Sequence, residues 1–172
     1  MRWAETCFTS LRASEFPVHI VVIDNGSTDG TQEYIRNNFP EVHFIQSEEN
    51  LGFGKANNLG IEYAYKKGAD FFYLMNQDAW LFANSLSKRL EVYEGITNKD
   101  EIGILSPMHL DGTGKNLDIF LDKYIATNFK KTRLLSDLYF QTFKDSYEIS
   151  FINAAHWLIP KSATDVVGGF NP

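Results

Sequence analysis

Short apolar runs recur along the first part of the chain and are separated by polar turn residues. Residues 19–24, 42–46 and 71–75 are rich in β-branched or aromatic side chains, which predicts three strands. The last run is apolar at every position, a pattern typical of a strand that helices cover on both faces of a parallel sheet. These runs therefore predict a sheet whose strands are largely buried.

Helical patterns fill the intervals between the predicted strands. Residues 1–13, 56–67 and 84–97 carry apolar side chains at a spacing of three and four, which predicts amphipathic helices. Residues 31–39 predict a shorter helix that stops before Pro40, because the residue preceding a proline is pushed out of the helical region. Alternating helices and strands form right-handed crossovers, so the predicted fold class is α/β with a mostly parallel sheet flanked by helices.

The second part of the chain has a less regular pattern. We predict a strand over residues 102–108, a hairpin turn at 111–114, a strand over 150–159 and a short helix over 161–167 that ends at two glycines. The stretch 116–144 mixes both periods and predicts an irregular or antiparallel insert. Since no repeat or linker interrupts the chain, a single domain over residues 1–172 is the economical interpretation.

Composition narrows the class of protein. A hydrophobic content of 44% fits a soluble globular domain, and 172 residues are enough for one real core. The formal charge of −6 argues against a nucleic-acid surface, although an acidic protein can bind phosphates through a divalent cation. Cys7 has no second cysteine to pair with, which indicates a reducing compartment. No apolar run or leader marks a membrane span or secretory signal, so we expect a cytoplasmic protein, with attachment to the inner face of the membrane left open.

A dense cluster of turn residues, from Asp24 to Gly30, follows the first predicted strand and precedes a helix. Backbone amides at such a junction suit an anion, and the Asp24 carboxylate can accept hydrogen bonds from a base or a ribose. A plain turn with Asp29 near the helix start explains the same composition. A calcium loop is excluded, because Asp29 stands where that pattern needs glycine and Ile35 where it needs glutamate.

The segment from Asn50 to Asn58 contains two glycines and opens the third predicted helix. It is not a dinucleotide fingerprint, because Asn57 replaces the third small residue, and it lacks the Gly-Lys-Ser/Thr ending of a Walker loop. Either the glycines begin a helix whose asparagines face outward, or Lys55 and the asparagines hold a nucleotide. The segment alone leaves both interpretations open.

Three polar residues, Asn76, Gln77 and Asp78, follow the apolar run at 71–75. Ligands of open α/β sheets bind at the carboxyl ends of the strands, so we predict that Asp78 holds a divalent metal and a diphosphate there. The alternative is a strand end at which Asp78 accepts hydrogen bonds from loop amides. A metal bound by a single carboxylate must take its other ligands from phosphate and water. The metal site is favoured because the three polar residues lie at the carboxyl end of the strand.

Taken together and in this order, the three motifs resemble the inverting family 2 glycosyltransferases with the GT-A fold. The matching segments are residues 21–31, 50–58 and 74–78, and the stretch 151–172 is similar to the family's sequence before its catalytic acid. The resemblance covers nearly the whole chain apart from about residues 115–148. It implies a GT-A-like, Rossmann-like fold, with a nucleotide-sugar-binding half at 1–108 and an acceptor-side part at 109–172.

The resemblance also implies ligands and residue roles. The donor is a UDP-, dTDP- or GDP-linked sugar, the acceptor is a glycan or a lipid-linked sugar, and the cofactor is manganese or magnesium. The implied donor-binding residues are Asp24, Asn25, Gly26, Ser27, Asn50, Gly52, Lys55, Asn57, Asn58, Asn76 and Gln77. Asp78 is the implied metal ligand, and His156 and Trp157 lie on the acceptor side.

Two departures from the family pattern concern the metal and the sugar. The first acid of the family's metal-binding motif is Asn76 here, and a neutral amide coordinates a metal more weakly than a carboxylate does. The resulting Asn-Gln-Asp sequence is similar to that of enzymes that add rhamnose or related deoxysugars. The resemblance therefore implies a glycosyltransferase of cell-surface polysaccharide or glycan synthesis, of rhamnosyl type.

The resemblance further implies that the chain is a fragment. Family members begin with a strand that this chain lacks, and they carry a Glu-Asp-type motif downstream of the Gly-Gly-Phe stretch, so we expect the general base beyond Pro172. The absent strand would lie in the middle of the sheet and leave strand edges unpaired, unless another chain or an unusual pairing fills the gap. We expect the chain to bind the donor without transferring the sugar, and the formation of a homo-oligomer is left undecided.

Two other functions remain as alternatives. A sugar nucleotidyltransferase could use a similar α/β scaffold, but it needs a basic, Gly-rich triphosphate loop after the first strand, which is not seen. The second alternative is non-catalytic: a module that binds a nucleotide or a glycan, or an inactive fragment, which needs no base. Pyrophosphate release would identify the first, and binding without turnover the second.

Overall fold

The computed structural model describes residues 3–121, 123, 133–149 and 151–171. Helices and strands alternate through most of that length, as the sequence pattern predicts. In chain order they are α1 (Ala4–Arg12), β1 (Val21–Asp24), α2 (Thr31–Asn38), β2 (His43–Gln46), α3 (Gly52–Lys66), β3 (Phe71–Met75), α4 (Ser85–Gly95), a 3₁₀ turn (Lys99–Glu101), α5 (Leu134–Phe140), β4 (His156–Pro160) and α6 (Lys161–Val167).

The strands form two separate pairs. β1 and β2 are parallel, with Val21 opposite His43 and Asp24 opposite Gln46. β3 and β4 are antiparallel, with Phe71 opposite Pro160. Among the described residues no strand joins the two pairs into one sheet. The predicted α/β class, with a parallel part and a small antiparallel part, is confirmed.

Two helices bridge the strand pairs from opposite sides. Between α1 and α2, a buried cluster of Ala4, Phe8, Ile35 and Phe39 packs against Val22 of β1. Helix α1 also reaches the end of β3, because the backbone N–H of Leu81 donates to Ser10 Oγ across 3.1 Å.

Helix α3 covers the other side. Ile23 of β1 lies within van der Waals reach of Gly60, and the ring of Tyr65 stacks on Phe72 of β3. Successive strand residues point to opposite faces, so α1 and α3 receive alternate side chains of β1. Together the two helices hold the strand pairs in place.

The register leaves one edge of β1 and one edge of β3 without backbone partners. Even-numbered residues of β1 bond to β2, as in the bond from His43 N–H to the Ile20 carbonyl. Even-numbered residues of β3 bond to β4, as in the bond from Asn76 N–H to the Ala155 carbonyl. The odd-numbered N–H groups therefore point away from their partner strands, and within the described residues they have no backbone acceptor. These are the unpaired edges that the resemblance implies.

This alternation predicts a pattern in amide hydrogen exchange. The N–H groups of Val21, Ile23 and Tyr73 should exchange faster than those of their neighbours Val22 and Phe72, by on the order of tenfold or more, because only the even-numbered amides are bonded in a ladder. Residue-resolved exchange of residues 1–172 measures this. Equal protection of odd and even amides would show that another strand covers the free edges.

The structure corrects three of the predicted elements. The strand predicted over residues 150–159 is shorter, because the described part of that stretch forms a strand only from His156 onward. Residues 102–108 do not form a strand: Leu105 alone makes an antiparallel bridge, with Leu158 of β4, and its neighbours join no ladder. Helix α3 begins at Gly52 rather than at residue 56, so the glycine-containing segment is the first turn of the helix itself. Pairing of one residue is enough to fix the position of Leu105 but not to extend a ladder.

The remaining predictions concern the C-terminal part. The predicted turn at 111–114 is present, closed by the bond from Gly114 N–H to the Asp111 carbonyl. Within the predicted insert, α5 forms a small core of its own with the buried Leu121 and Leu134. The middle of that insert, residues 124–132, lies outside the described residues. No helix in the described part of the chain is long and apolar enough to span a membrane.

Candidate functional site

The Asp24 carboxylate lies at the carboxyl end of β1 and is almost fully buried, with 4% of its surface exposed. Its Oδ2 accepts a hydrogen bond from Gln32 Nε2 at 2.9 Å, and the same amide donates to the Ser27 carbonyl at 2.5 Å. Gln32 lies in the first turn of α2. Its amide therefore holds the loop against the strand end and orients the carboxylate.

The loops that follow β1 and β2 are locked together by two asparagines. Asn25 Oδ1 accepts from the Leu51 N–H at 2.6 Å, and Asn25 Nδ2 donates to Asn50 Oδ1 at 2.9 Å. Gly26 adopts a φ of 83°, and a Cβ there would lie 3.0 Å from the carbonyl carbon of Glu49. The close approach of the loops thus requires glycine, and the first two sequence motifs meet in space.

The third motif forms an exposed turn at the end of β3. The Ala79 N–H donates to the Asn76 carbonyl at 3.1 Å, which closes the turn. The side chains of Asn76, Gln77 and Asp78 are exposed, and within the described residues they have no hydrogen-bond partner. Polar groups therefore remain available for a ligand at the carboxyl end of the buried strand.

Helix α3 begins with residues that the sequence assigns to donor binding. Asn58 Nδ2 donates to the Phe170 carbonyl at 2.9 Å, and the Phe170 N–H donates to Asn58 Oδ1 at 2.7 Å. Asn57 Nδ2 donates to the Phe53 carbonyl at 2.8 Å, one turn back in the helix. Both asparagine amides thus contact backbone, whereas Gly52 and Lys55 are exposed. The donor-binding roles of these residues stay predictions.

The residues assigned to the acceptor side do not share a face. His156 points towards α4 and contacts Tyr73, with Nδ1 at 2.6 Å from the hydroxyl. Trp157 points to the other side, stacks on Phe170 at 6.1 Å between centroids, and donates from Nε1 to the Asn153 carbonyl at 3.0 Å. Adjacent strand residues alternate between faces, so the two side chains belong to different environments.

Comparison with known proteins gives the family of the chain. The family model described as "Glycosyl transferase family 2" matches residues 3–165. The chain belongs to this family. The predicted membership, made from the three motifs, is therefore confirmed.

Similar proteins within the family include named rhamnosyltransferases. The chain is 25% identical over 150 residues to the dTDP-rhamnosyl transferase RfbF of Shigella flexneri, which covers 87% of this chain and 47% of that protein. It is 44% identical over 46 residues to the N-acetylglucosaminyl-diphospho-decaprenol L-rhamnosyltransferase of Mycobacterium tuberculosis, covering 27% of this chain and 15% of that protein. The chain thus spans about half the length of RfbF.

A solved structure supports the fold. The crystal structure of S. aureus TarS aligns with a TM-score of 0.55 at 19% identity, over 69% of this chain and 21% of that one. At this identity the similarity concerns the fold alone. It agrees with the GT-A-like architecture that the resemblance implies.

Within the described residues of this glycosyl transferase family 2 chain, the side-chain oxygen atoms do not by themselves form a complete metal centre. No group of three or more His, Cys, Asp or Glu side chains in the described part of the chain is placed to hold a metal ion. Asp78 offers a carboxylate and Asn76 an amide oxygen at the same turn. A divalent cation there would take its remaining ligands from a diphosphate and water, as magnesium commonly does.

Two contributors to the site are not identified from the sequence motifs. Gln32, which orients Asp24, lies outside every motif, although a glutamine in the first turn of a helix after a polar loop is a common capping residue. Phe170 bonds to Asn58 through its backbone and stacks on Trp157 with its ring. It belongs to the Gly-Gly-Phe stretch, but a phenylalanine side chain has no reactive group. Only the tertiary contacts show that these residues support the loops.

Cys7 of α1 lies beside the Asp78 turn and is expected to be unreactive. Burial, and secondarily the negative charge of Asp78, raise the pKa of the thiol to about 11. Since the thiolate is the reactive form, labelling by DTNB at pH 8 should be on the order of a hundredfold slower than in the unfolded chain and should accelerate as pH rises towards 11. Labelling at the unfolded rate would contradict this. Labelling of Cys7 in the variant Asp78→Asn should stay slow, because burial raises the pKa of the thiol more than the charge of Asp78 does.

Proposed function

We propose that this chain binds the nucleotide-sugar donor of an inverting glycosyl transfer, in which rhamnose or a related deoxysugar passes to a glycan or lipid-linked acceptor in cell-surface polysaccharide synthesis. Family membership supports the reaction class, and the names of two relatives, both rhamnosyltransferases, support the sugar. The observation that carries the proposal is the junction of the β1 and β2 loops through Asn25 and Asn50, next to an oriented Asp24.

Each part of the site has a role in holding the donor. Gln32 donates its hydrogen bond to Asp24 Oδ2, which leaves Oδ1 to accept a hydrogen bond from the N–H of a nucleobase. The loop locked by Asn25 and Asn50 would support the nucleoside. The exposed turn with Asp78 would lie at the diphosphate.

The reaction proposed is a direct displacement. An acceptor oxygen forms a bond to the anomeric carbon while the bond from that carbon to the diphosphate oxygen breaks, so the configuration inverts. A base takes the acceptor proton, and no described residue is assigned that role. A divalent metal held between Asp78 and the diphosphate would supply neutralisation of the leaving charge. The chain's own contribution is to align the donor.

Calorimetric titration tests the donor claim. We expect dTDP-rhamnose to bind to residues 1–172 in the presence of Mn²⁺, and Asp78→Ala to weaken this binding by about tenfold, or about 1.4 kcal/mol. UDP- and GDP-linked sugars identify the nucleotide preference. The matched control is Asp70→Ala, which removes an exposed carboxylate at the opposite end of β3 and should not change the affinity.

The variant Asp24→Asn separates the two halves of the donor site. It should weaken binding of dTDP alone, without metal, because Asp24 is proposed to contact the base. Absence of binding by any nucleotide sugar at millimolar concentration, in a sample with a cooperative unfolding transition, would refute the proposed function. Equal affinities of the wild type and Asp78→Ala would refute the metal-side role of Asp78.

A further inference from the structure

Helix α4 buries an arginine whose Nη1 has no acceptor among the described residues. Arg89 is only 6% exposed and lies on the same face of α4 as the buried Leu86 and Tyr93. Its Nη1 is fully buried and, within the described part of the chain, has no hydrogen-bond partner. Among the described residues no carboxylate lies within ion-pair distance of the guanidinium. Arg89 Cζ lies 4.9 Å from the centroid of the Tyr73 ring, and the rest of the guanidinium hydrogen-bonds to the Tyr73 hydroxyl.

Polar side chains from three further segments surround this guanidinium. Tyr73 of β3 bonds to His156 of β4, and the His156 ring lies 5.7 Å from that of the buried His109. Ser106 Oγ is 3.0 Å from His109 Nε2. The group combines N–H and O–H donors from α4, from both strands of the antiparallel pair and from the segment after Leu105. We refer to Tyr73, Arg89, Ser106, His109 and His156 as the Arg89 cluster.

The charges of the cluster are not balanced. Burial lowers the pKa of His156 to about 4 and also lowers that of His109, and the positive charge of Arg89 lowers both further. Both imidazoles are therefore neutral at pH 7. The charge of Asp118 acts on His109, but Asp118 Oδ1 accepts from the N–H groups of Phe120 and Leu121. Among the described residues Arg89 is therefore a buried cation without a counter-ion, which is unfavourable.

We propose that the Arg89 cluster is a buried binding site for a small oxyanion, that is, a phosphate or carboxylate group. A guanidinium presents a planar fork of donors that matches such a group in two parallel hydrogen bonds, and the orphaned Nη1 is one branch of that fork. Neutral imidazoles can donate further N–H bonds to the same anion. The negative charge would offset the buried positive charge.

The cluster is separate from the proposed donor site. It lies on the face of the β3–β4 pair that α4 covers, where Tyr93 packs on Phe71. Phe72 and Trp157 lie on the opposite face, towards α3 and Phe170. Anion binding to the cluster therefore does not depend on the nucleotide-sugar proposal, and each can fail without the other.

Thermal unfolding in inorganic phosphate and in acetate, at constant ionic strength, tests the site. We expect a saturable rise of several degrees in the Tm of the wild type, no rise in Arg89→Met, and an undiminished rise in Lys88→Met. Lys88 is the exposed neighbour on the same helix, so it reports nonspecific attraction of anions. Comparison of phosphate with acetate shows which oxyanion the cluster prefers.

Proton NMR of the histidines gives a second measurement that needs no variant. A bound anion favours the imidazolium form, so phosphate should raise the pKa values of His109 and His156 and leave that of the exposed His43 unchanged. No saturable effect of either anion on these histidines or on Tm would overturn the proposal. A phosphate response in Arg89→Met equal to that of the wild type would also overturn it.

Discussion

The replacement Phe8→Ala is expected to destabilise the chain by about 3–5 kcal/mol, the usual cost of removing a buried aromatic ring. Phe8 is 5% exposed, and its ring centroid lies 4.7 Å from that of Phe39. It joins α1 to α2 and to β1, and α1 is one of the two helices that hold the strand pairs together. Since a domain of this size has about 5–15 kcal/mol of stability in total, most of it would be lost.

Denaturant unfolding measures this loss through the midpoint and the m-value. Phe143→Ala is the matched control, because Phe143 is 63% exposed and its removal should cost within about 0.5 kcal/mol. If Phe8→Ala costs less than about 1 kcal/mol, the α1 and α2 cluster is not the main core of the chain. Equal costs for the two variants would lead to the same conclusion.

The replacement Gly169→Ala is expected to cost about 2 kcal/mol, although the residue is exposed. A Cβ at this position would lie 2.9 Å from Asn58 Cγ and closer still to its Oδ1. The Asn58 amide cannot rotate away without breaking both of its bonds to the Phe170 backbone. The two bonds between Asn58 and the Phe170 backbone form a clamp between α3 and the C-terminal segment. Glycine is thus required at position 169 because the Asn58 amide of this clamp lies directly against it.

A double-mutant cycle separates this clash from backbone effects. In the background of Asn58→Ala, Gly169→Ala should cost well under 1 kcal/mol, because the obstructing amide and its bonds are already absent. Gly95→Ala is the control, since a Cβ at the end of α4 meets open space. Additive costs of Asn58→Ala and Gly169→Ala would contradict the proposed contact. The readout is the denaturant midpoint of each variant.

The clamp connects stability to the candidate site. Asn58 lies in α3 two turns after Gly52, and Phe170 also packs edge-on against Phe53 at 5.5 Å. The C-terminal Gly-Gly-Phe stretch therefore fixes the beginning of α3, which carries the exposed Lys55. Loss of the bonds between Asn58 and Phe170 should weaken the proposed donor binding indirectly, by releasing the loop that Asn50 holds.

Some features of the site were accessible from local patterns. The bounds of β3 and the exposed polar turn after it follow from an apolar run that ends in Asn76. Arg89 also has a signal, since it lies at helical spacing between Leu86 and Tyr93 and interrupts an apolar stripe. We predicted the helix without singling out the arginine, and charged residues are rarely fully buried.

Other features depend on partners that are distant in the sequence. Asn58 and Phe170 are 112 residues apart, and nothing near Asn58 indicates whether its amide meets a ligand or the backbone. Residues 102–108 have the composition of a strand, yet only Leu105 finds a partner. A strand needs a neighbour with unpaired backbone groups, so its length is decided by the partner.

The sequence by itself determined the α/β class, the positions of most helices and strands, and the membership in glycosyl transferase family 2. Those features depend on residue periodicity and on short motifs, which are local. Among the described residues, the tertiary structure alone decided that the strands form two separate pairs, that Asn25 and Asn50 lock the first two loops together, and that the buried Nη1 of Arg89 has no acceptor. These features depend on which distant groups satisfy each other's hydrogen bonds and charges, and that is settled only when the chain packs.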